Sequence, residues 1–381
     1  MLLLKIAVLS YLGVNDRRKG GSEVHAFNVT EALCKLGWDV LYLHTRPPVC
    51  GTLSKDCPVH VGLGYRRGFA LINYYLFNLI ASLKLLKFRP HAIITSNFNF
   101  AAFIGGLILR VPVLLIFYQL GYRPSPGRAV ERWLTGRRNF RGKIHSFLTY
   151  LHNEWPLRDL RFSRILTLSR HTKAVCESIK VRTPSANIVS LGTGVHATYE
   201  RSSEKKFDVC CLSRLVSYKR IDVLIEAVGI LNRKRKVTCA IVGDGDSRGA
   251  LERLAEDLPV SFLGWLEGEA KHNVLRNSGV FCLPSPIEGF GIVFLEAMVH
   301  RLPLVFCDRP PMNKELKGCG LTFKDGDAED LARALTEIME NPSLAAELSE
   351  AGYRLVNENF TWEKVAERYH RLLLDVIHAS R

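Results

Sequence analysis

Short apolar runs alternate with longer amphipathic stretches along the chain, and the alternation repeats in two series. The first opens with KIAVLS at Lys5 to Ser10, a buried strand by its pattern, followed by a polar loop. In GGSEVHAFNVTEALCKLGWDVLYLH, Leu33, Leu36 and neighbouring apolar positions recur at helical spacing, and Trp38 to His44 reads as a second strand. The same pattern predicts a helix around Tyr74 to Phe88, a strand over Ala92 to Thr95, a helix over Phe100 to Leu109 and a strand over Val113 to Phe117. A further strand covers Ile165 to Leu168 and leaves Ser169 at its end. Strands that alternate with helices imply a parallel, doubly wound sheet, and ligands gather beyond the carboxyl ends of such strands.

The second series begins at Asp208 with DVCCLSRL and continues into a helix from about Ile221. Next come the strand of IVGDGDSRGALERLA, a short strand in SFLGW at Ser261 to Trp265, and LPSPIEGFGIVFLEAMVH from Leu283 to His300. That last stretch reads as a strand end at Cys282 or Leu283, a Pro/Ser turn, a Gly-rich loop and a helix opening near Gly291. A strand over Leu302 to Cys307, a turn at Asp325 to Asp327, a helix over Ala328 to Met339 and a closing amphipathic helix complete the series. Between the two series, Gly194 in LGTGVHATYE supplies a bend, and the boundary is placed near residue 198.

Composition narrows this picture. A chain of 381 residues with 47% hydrophobic content carries core enough for two or three domains. Its formal charge of +15 points to a polyanionic partner: nucleic acid, an anionic membrane surface or a phosphorylated ligand. No nucleic-acid recognition motif accompanies the charge, so nucleic acid is not expected. The 10 cysteines include no CxxC pair and no Cys/His cluster at zinc spacing, which argues against a metal site and against a secreted disulfide framework. A reducing cytoplasm fits; Cys50 with Cys57, or Cys307 with Cys319, could pair in a hyperthermophile, where intracellular disulfides occur. The start, MLLLKIAVLSYLG, is too short for a signal peptide, and Arg110 and Pro112 interrupt the apolar run from Ala101 to Tyr118 before a membrane span is reached. No transmembrane helix is expected.

Several groups carry candidate chemistry. Glu288 falls in the loop before the helix and Glu296 roughly one turn inside it, so both carboxylates can face one ligand. The amides of Gly289, Phe290 and Gly291 would hold a phosphate at the helix N-terminus, with the carboxylates accepting from hydroxyls. The bland reading makes Glu288 a turn residue and Glu296 a solvated helix position. Arg214 at a strand end and Lys219 before a helix suit a diphosphate, one as a fork and one as a point charge, or are simply surface cations in a basic protein. Gly20 and Gly21 precede the first helix and allow close backbone approach, or form a structural turn. Gly243 and Gly245 suggest a dinucleotide loop, but Arg248 occupies the position that GxGxxG needs, which disfavours a nicotinamide site. The segment Arg123 to Lys143 carries Arg128, Arg132, Arg137, Arg138 and Arg141 among Trp133 and Phe140. It suits an anionic bilayer or a lipid diphosphate, suits nucleic acid too, or is simply a solvated surface loop.

The spacing of EGFGIVFLE, with Arg214 and Lys219 upstream, resembles the retaining glycosyltransferases of family 4 (glycosyl transferases group 1). The resemblance covers nearly the whole chain, strongest from Arg214 to Trp362 and weakest between Val49 and Arg161. It implies an α/β, GT-B fold: two Rossmann-like doubly wound domains facing a cleft, with a C-terminal helix crossing back to the first. The implied domains are residues 1–197 for the acceptor, 198–361 for the nucleotide sugar and 362–381 for the returning helix. The implied roles are Glu288 on the donor sugar, Glu296 on the ribose, and Arg214 with Lys219 neutralising the leaving diphosphate in place of a metal. Gly21, Gly289, Phe290, Gly291 and Ile292 would also bind donor, the backbone of Leu263 and Gly264 would meet the nucleobase, and Gly20 would lie on the acceptor side. Many members place a His where this chain has Tyr118 and Gln119, and neither of these is a base at neutral pH. Both remain acceptor-side candidates.

The expected function is retaining transfer of a hexose-type sugar from a nucleotide-diphosphate donor to a hydroxyl acceptor, such as a glycan, a glycolipid or a polyprenyl-linked sugar. No cofactor or metal is expected. The expected location is cytoplasmic, peripheral on the inner face of the cell membrane if Arg123 to Lys143 meets anionic lipid. The alternative is a nucleotide-sugar-binding or membrane scaffold protein without catalysis.

Overall fold

The computed structural model describes residues 4–10, 21–44, 59–62, 70–96, 99–118, 160, 162–178, 181–196, 205–288, 290–309 and 314–380. The chain divides into two compact units, Met1–Thr193 with Trp362–Arg381, and Gly194–Thr361. The sequence pattern places the boundary near residue 198; the division into units falls between Thr193 and Gly194, at the Gly194 bend itself.

The first unit is built on seven parallel strands: β1 (Lys5–Ser10), β2 (Asp39–His44), β3 (Val59–Gly62), β4 (Ala92–Ser96), β5 (Val113–Phe117), β6 (Arg164–Thr167) and β7 (Ile188–Ser190). Their order is β3-β2-β1-β4-β5-β6-β7. The order reverses between β1 and β4, which pair directly from Ile6 against Ala92 to Ser10 against Ser96. β4 and β5 are buried along their whole length, the pattern of a parallel sheet covered on both faces. Helices α1 (Gly21–Lys35), α2 (Ala70–Phe88), α3 (Phe100–Leu109) and α4 (Arg170–Ser178) connect the strands.

Helix α3 shows why its limits were legible. The Asn99 carboxamide accepts from the Ala101 N–H at 3.0 Å and starts the helix, and Arg110 leaves it in the left-handed region at φ 55°. Gly105 and Gly106 let it lie close to its neighbours: a Cβ at Gly106 would come 2.2 Å from Val113 Cγ2 on β5, and one at Gly105 2.9 Å from Leu85 Cδ1 on α2.

The second unit has six parallel strands: β8 (Phe207–Leu212), β9 (Cys239–Val242), β10 (Val260–Gly264), β11 (Ser278–Leu283), β12 (Leu304–Cys307) and β13 (Gly320–Phe323). The order β10-β9-β8-β11-β12-β13 places its switch point between β8 and β11. Its helices are α5 (Ile221–Asn232), α6 (Arg248–Leu254), α7 (Gly268–Arg276), α8 (Ile292–Val299), α9 (Ala328–Glu340) and α10 (Pro342–Asn359). Asp327 caps α9 by accepting from the Asp330 N–H, and Asn341 caps α10, with Pro342 at its first position.

The last helix, α11 (Trp362–His378), is part of the first unit and packs on α1. Val365, Ala366, Tyr369, Leu373, Val376 and Ile377 form its buried stripe at spacings of three and four. Trp38 Nε1–H donates to His370 Nδ1 at 2.9 Å. His25 of α1 lies wholly buried between the Thr193 hydroxyl at 3.0 Å and the Tyr369 hydroxyl at 3.1 Å, with the rings of Trp362 and Tyr118 edge-on to it.

Cys307 and Cys319 are buried thiols not joined by a disulfide, so the suggested pair between them does not form. They lie on β12 and just before β13, inside the apolar core, where burial pushes each thiol up to about 11. Cys50 and Cys57 lie outside the described residues. Among the described residues no helix is long and apolar enough to cross a membrane.

Candidate functional site

The site residues of the second unit converge because β8 and β11 are hydrogen-bonded neighbours, Val209 opposite Val280 and Cys210 opposite Phe281. The loops leaving their carboxyl ends therefore start side by side at the switch point, the place where a doubly wound sheet opens a crevice. One loop carries Arg214 and, in a 3₁₀ turn over Ser217–Lys219, Tyr218 and Lys219. The other carries Glu288 and leads into α8.

The structure joins these loops through an ion pair between Lys219 Nζ and Glu288 Oε1. Their side chains are only 12% and 10% exposed, so this is a nearly desolvated contact rather than a surface pair. Tyr218 links the two cations: its hydroxyl accepts from the Arg214 guanidinium at 2.6 Å, and the Lys219 ammonium lies 5.3 Å from its ring centre. Arg214 is exposed and available to an anion.

The Gly-rich loop is held from below. The Ser285 hydroxyl donates to the Ile287 carbonyl at 2.9 Å, and the buried ring of Phe290 meets Phe360 edge-on at 5.1 Å. Gly291 then adopts φ 66° and ψ 68° as the N-cap of α8, and no side chain caps the helix there. Its first-turn amides are the unsatisfied donors of any helix start. A left-handed residue at that position favours Gly.

Glu296 is not a solvated helix position. It is 14% exposed and accepts from Lys271 of α7 at 2.7 Å. Next to Lys271, His272 Nδ1 lies 3.0 Å from Nε2 of His300, the C-cap of α8, so one buried imidazole pair ties α7 to α8. Burial first, and the Lys271 charge among the further causes, lowers His272 to about 4; burial lowers His300 to about 3. Both rings are neutral at pH 7, and one donates to the other.

The glycines of IVGDGD are explained by packing. A Cβ on Gly243, at φ 137°, would fall 1.8 Å from the Ser213 carbonyl oxygen, and one on Gly245 would fall 2.4 Å from that of Leu215. These two residues let the loop after β9 lie against the backbone on either side of Arg214. The Ser213 and Leu215 amides donate to the Val242 and Asp244 carbonyls, and the Gly243 amide donates to Gly264 at 2.7 Å. The same lattice holds Leu263 and Gly264, the suggested base contacts, at the end of β10, with Gly264 at φ 69°.

In the first unit Tyr118 follows β5, and the nearby histidine is His25. Burial lowers His25 to about 3, and its two ring nitrogens are taken by hydroxyls, so it is a packing group of the first unit. Gly21 opens α1. Gly20, Gln119, Gly289 and the segment Arg123 to Lys143 lie outside the described residues. Sequence reasoning missed Tyr218 and Lys271 as partners of site residues. Lys271 and Glu296 stand 25 positions apart on different helices, a spacing with no periodic signal.

Comparison with known proteins bears on this geometry. Residues 198–355 match the family model described as Glycosyl transferases group 1. A GDP-mannose-dependent monoacylated alpha-(1-6)-phosphatidylinositol monomannoside mannosyltransferase of Corynebacterium glutamicum is 31% identical over 176 residues, which are 43% of this chain and 46% of that protein. The lipopolysaccharide core biosynthesis glycosyltransferase LpsE of Rhizobium meliloti is 33% identical over 171 residues, 43% of this chain and 49% of that protein. The chain spans about half the length of these curated relatives. Among solved structures, a sucrose-phosphate synthase from Thermosynechococcus elongatus has a TM-score of 0.74 at 19% identity, over 99% of this chain and 100% of the other. Anabaena HepE in complex with UDP-glucose has a TM-score of 0.69 at 16% identity, over 98% of this chain and 100% of the other. The fold is thus the two-domain α/β GT-B fold.

Proposed function

We propose that the chain is a retaining glycosyltransferase of the family 4 type, which moves a hexose-type sugar from a nucleotide-diphosphate donor to a hydroxyl acceptor. The observation that carries this reading is the switch-point constellation in the second unit: Arg214, Lys219 and Glu288 beside the uncapped start of α8. The match of residues 198–355 to the group 1 glycosyltransferase model supports it.

In this proposal the bond between the anomeric carbon and the diphosphate breaks with its electron pair going to the phosphate oxygen. Arg214, Lys219 and the first-turn amides of α8 meet the charge that develops there. The acceptor oxygen bonds to the anomeric carbon on the same face, and its proton passes to the departing diphosphate. Glu288 orients the sugar and stabilises positive charge on its ring. Glu296, fixed by Lys271, accepts from the ribose hydroxyls, and the backbone of Leu263 and Gly264 meets the base. Tyr118 is the described acceptor-side residue. A lipid-linked acceptor is favoured, because the C. glutamicum relative is named for a phosphatidylinositol mannoside.

The test is release of nucleoside diphosphate from a panel of nucleotide sugars with and without candidate lipid-linked acceptors. Release that requires acceptor, with an α-configured product from an α-configured donor, supports the proposal. An inverted product, or binding of nucleotide sugar with no acceptor-dependent release, rejects it.

A further inference from the structure

Helices α2 and α3 of the first unit each bury one face and leave an apolar face in solvent. α2 buries Phe77, Ala81 and Leu85 against the sheet, while Leu76, Leu79, Leu83 and Leu86 stand exposed, Leu79 and Leu83 at 60% each. α3 buries Ala101, Ala102, Gly105 and Gly106, while Ile104, Leu107 and Ile108 are exposed, Leu107 at 73%. The two helices touch where Gly105 lies under Leu85, so the two stripes form one continuous face. Scattered surface leucines need no explanation, but a joined stripe on two packed helices does.

The sequence that carries this face has charge of one sign. From Cys57 to Val130 the sequence holds 8 lysines and arginines and no aspartate or glutamate. Of the described members, Lys84 and Lys87 are exposed in the last turns of α2, and Arg89 and Arg110 are exposed just beyond the ends of α2 and α3. Both helices feed parallel strands, so these four cations gather along the edge where β4 and β5 begin. Lys5, at the start of β1, joins them with its ammonium 5.1 Å from the Phe88 ring centre. Asp39, at the start of β2, is paired to Lys5 at 3.8 Å.

We infer that the α2–α3 face is a docking surface for an anionic lipid bilayer, with the leucine stripe entering the acyl boundary and the cation rim meeting headgroup phosphates. An apolar face bordered by lysine and arginine is the chemistry of interfacial binding, in which apolar burial and attraction to anionic lipid add. A second copy fits poorly. A two-fold pairing of this face would set Lys84, Lys87, Arg89 and Arg110 against the same cations with no acid to offset them. Neither helix spans a bilayer, so the mode is lying on the membrane. The surface belongs to the first unit and the switch-point site to the second, and this inference stands whether or not that site transfers a sugar.

The test is co-sedimentation of the full chain with vesicles of phosphatidylglycerol and phosphatidylcholine, against vesicles of phosphatidylcholine alone, at low and high salt. The expected result is binding to the anionic vesicles that weakens with salt. It should fall by roughly tenfold or more in Leu79→Glu/Leu83→Glu/Leu107→Glu, and by a similar factor in Lys84→Gln/Lys87→Gln/Arg110→Gln. Both variants should keep the wild-type melting temperature because the changed side chains are exposed. Removing three exposed cations of the second unit, in Lys234→Gln/Arg235→Gln/Lys236→Gln, should leave binding unchanged. Equal binding by the glutamate variant and wild type overturns the inference. So does absence of wild-type binding to either vesicle, or a wild-type oligomer that the glutamate variant dissociates.

Discussion

At the scale of single residues, the Lys219–Glu288 pair decides how the site can be probed. Each side chain is almost desolvated, so truncating one leaves the other as a buried, unmatched charge, at a cost of about 3–5 kcal/mol. Glu288→Ala therefore conflates lost chemistry with lost stability. Glu288→Gln keeps an acceptor for the Lys219 ammonium while removing the negative charge. It should lower the turnover rate by roughly 10²–10³-fold with a smaller fall in the unfolding midpoint than Glu288→Ala gives, as read by nucleoside diphosphate release and urea denaturation. Rates like wild type would take Glu288 out of the reaction. The buried imidazoles make a different prediction. His272 and His300, at about 4 and about 3 when folded, have an ordinary value of 6.5, so below pH 6.5 the unfolded chain binds more protons than the folded one. Their contribution to stability is complete above pH 6.5 and is lost as pH falls through about 4 and about 3. Replacing His300 by Asn should flatten the acid side of a urea-midpoint profile between those limits, and an unchanged slope would show that the pair is not the acid-sensitive element. Candidate residues could be named from sequence because Glu288, Glu296, Arg214 and Lys219 sit in local motifs. Their partners were not, since the Lys219–Glu288 contact joins positions 69 apart and depends on two strands being sheet neighbours.

Elements were legible where local chemistry marks both ends. Phe100–Leu109 carries an Asn cap and ends before a proline-containing turn, and its observed limits coincide with those expected from sequence. The strand Gly320–Phe323 and the helix Pro342–Asn359 were not expected. The first is a short edge strand with a single fully buried residue, and the second buries a stripe at helical spacing in which only Leu348 and Val356 carry apolar side chains, so neither presents a strong hydrophobic period. The glycines after β9 show an element-scale role that a motif search misassigns. Their positions match a nucleotide fingerprint in part, but what they do is admit the backbone of the Arg214 loop. Gly243→Ala should therefore displace that loop and destabilise the second unit by several kcal/mol, because the Cβ would overlap the Ser213 carbonyl. Gly291→Ala is milder: forcing Ala into the left-handed cap costs about 1–2 kcal/mol and reorients the α8 amides. It should weaken nucleoside diphosphate binding more than it lowers the melting temperature. Calorimetric titration beside thermal melts distinguishes the two effects, and equal affinity would show that the α8 start does not meet phosphate.

For the whole molecule, the chain's path makes its C-terminus part of the first unit. Trp362, Tyr369, Leu373 and Ile377 of α11 are buried there, and Tyr369 satisfies one nitrogen of the buried His25. Deleting residues 362–381 should remove hydrogen-exchange protection from β1 and β2 while leaving β8 and β11 protected; uniform loss in both sheets would contradict the division into units. Two parallel sheets and a returning helix were readable from alternation and from the closing amphipathic pattern, whereas which unit claims that helix depends on long-range packing against α1. The central claim is that the switch point of the second unit captures a diphosphate through side-chain cations and helix amides. Its most direct test is calorimetric titration of UDP and GDP into the wild-type chain and into Arg214→Gln. The account predicts binding of at least one nucleotide by wild type, reduced by about 10–100-fold in the variant, in keeping with loss of one charge-assisted contact. Unaltered affinity in Arg214→Gln, or no binding of either nucleotide by wild type, would contradict it.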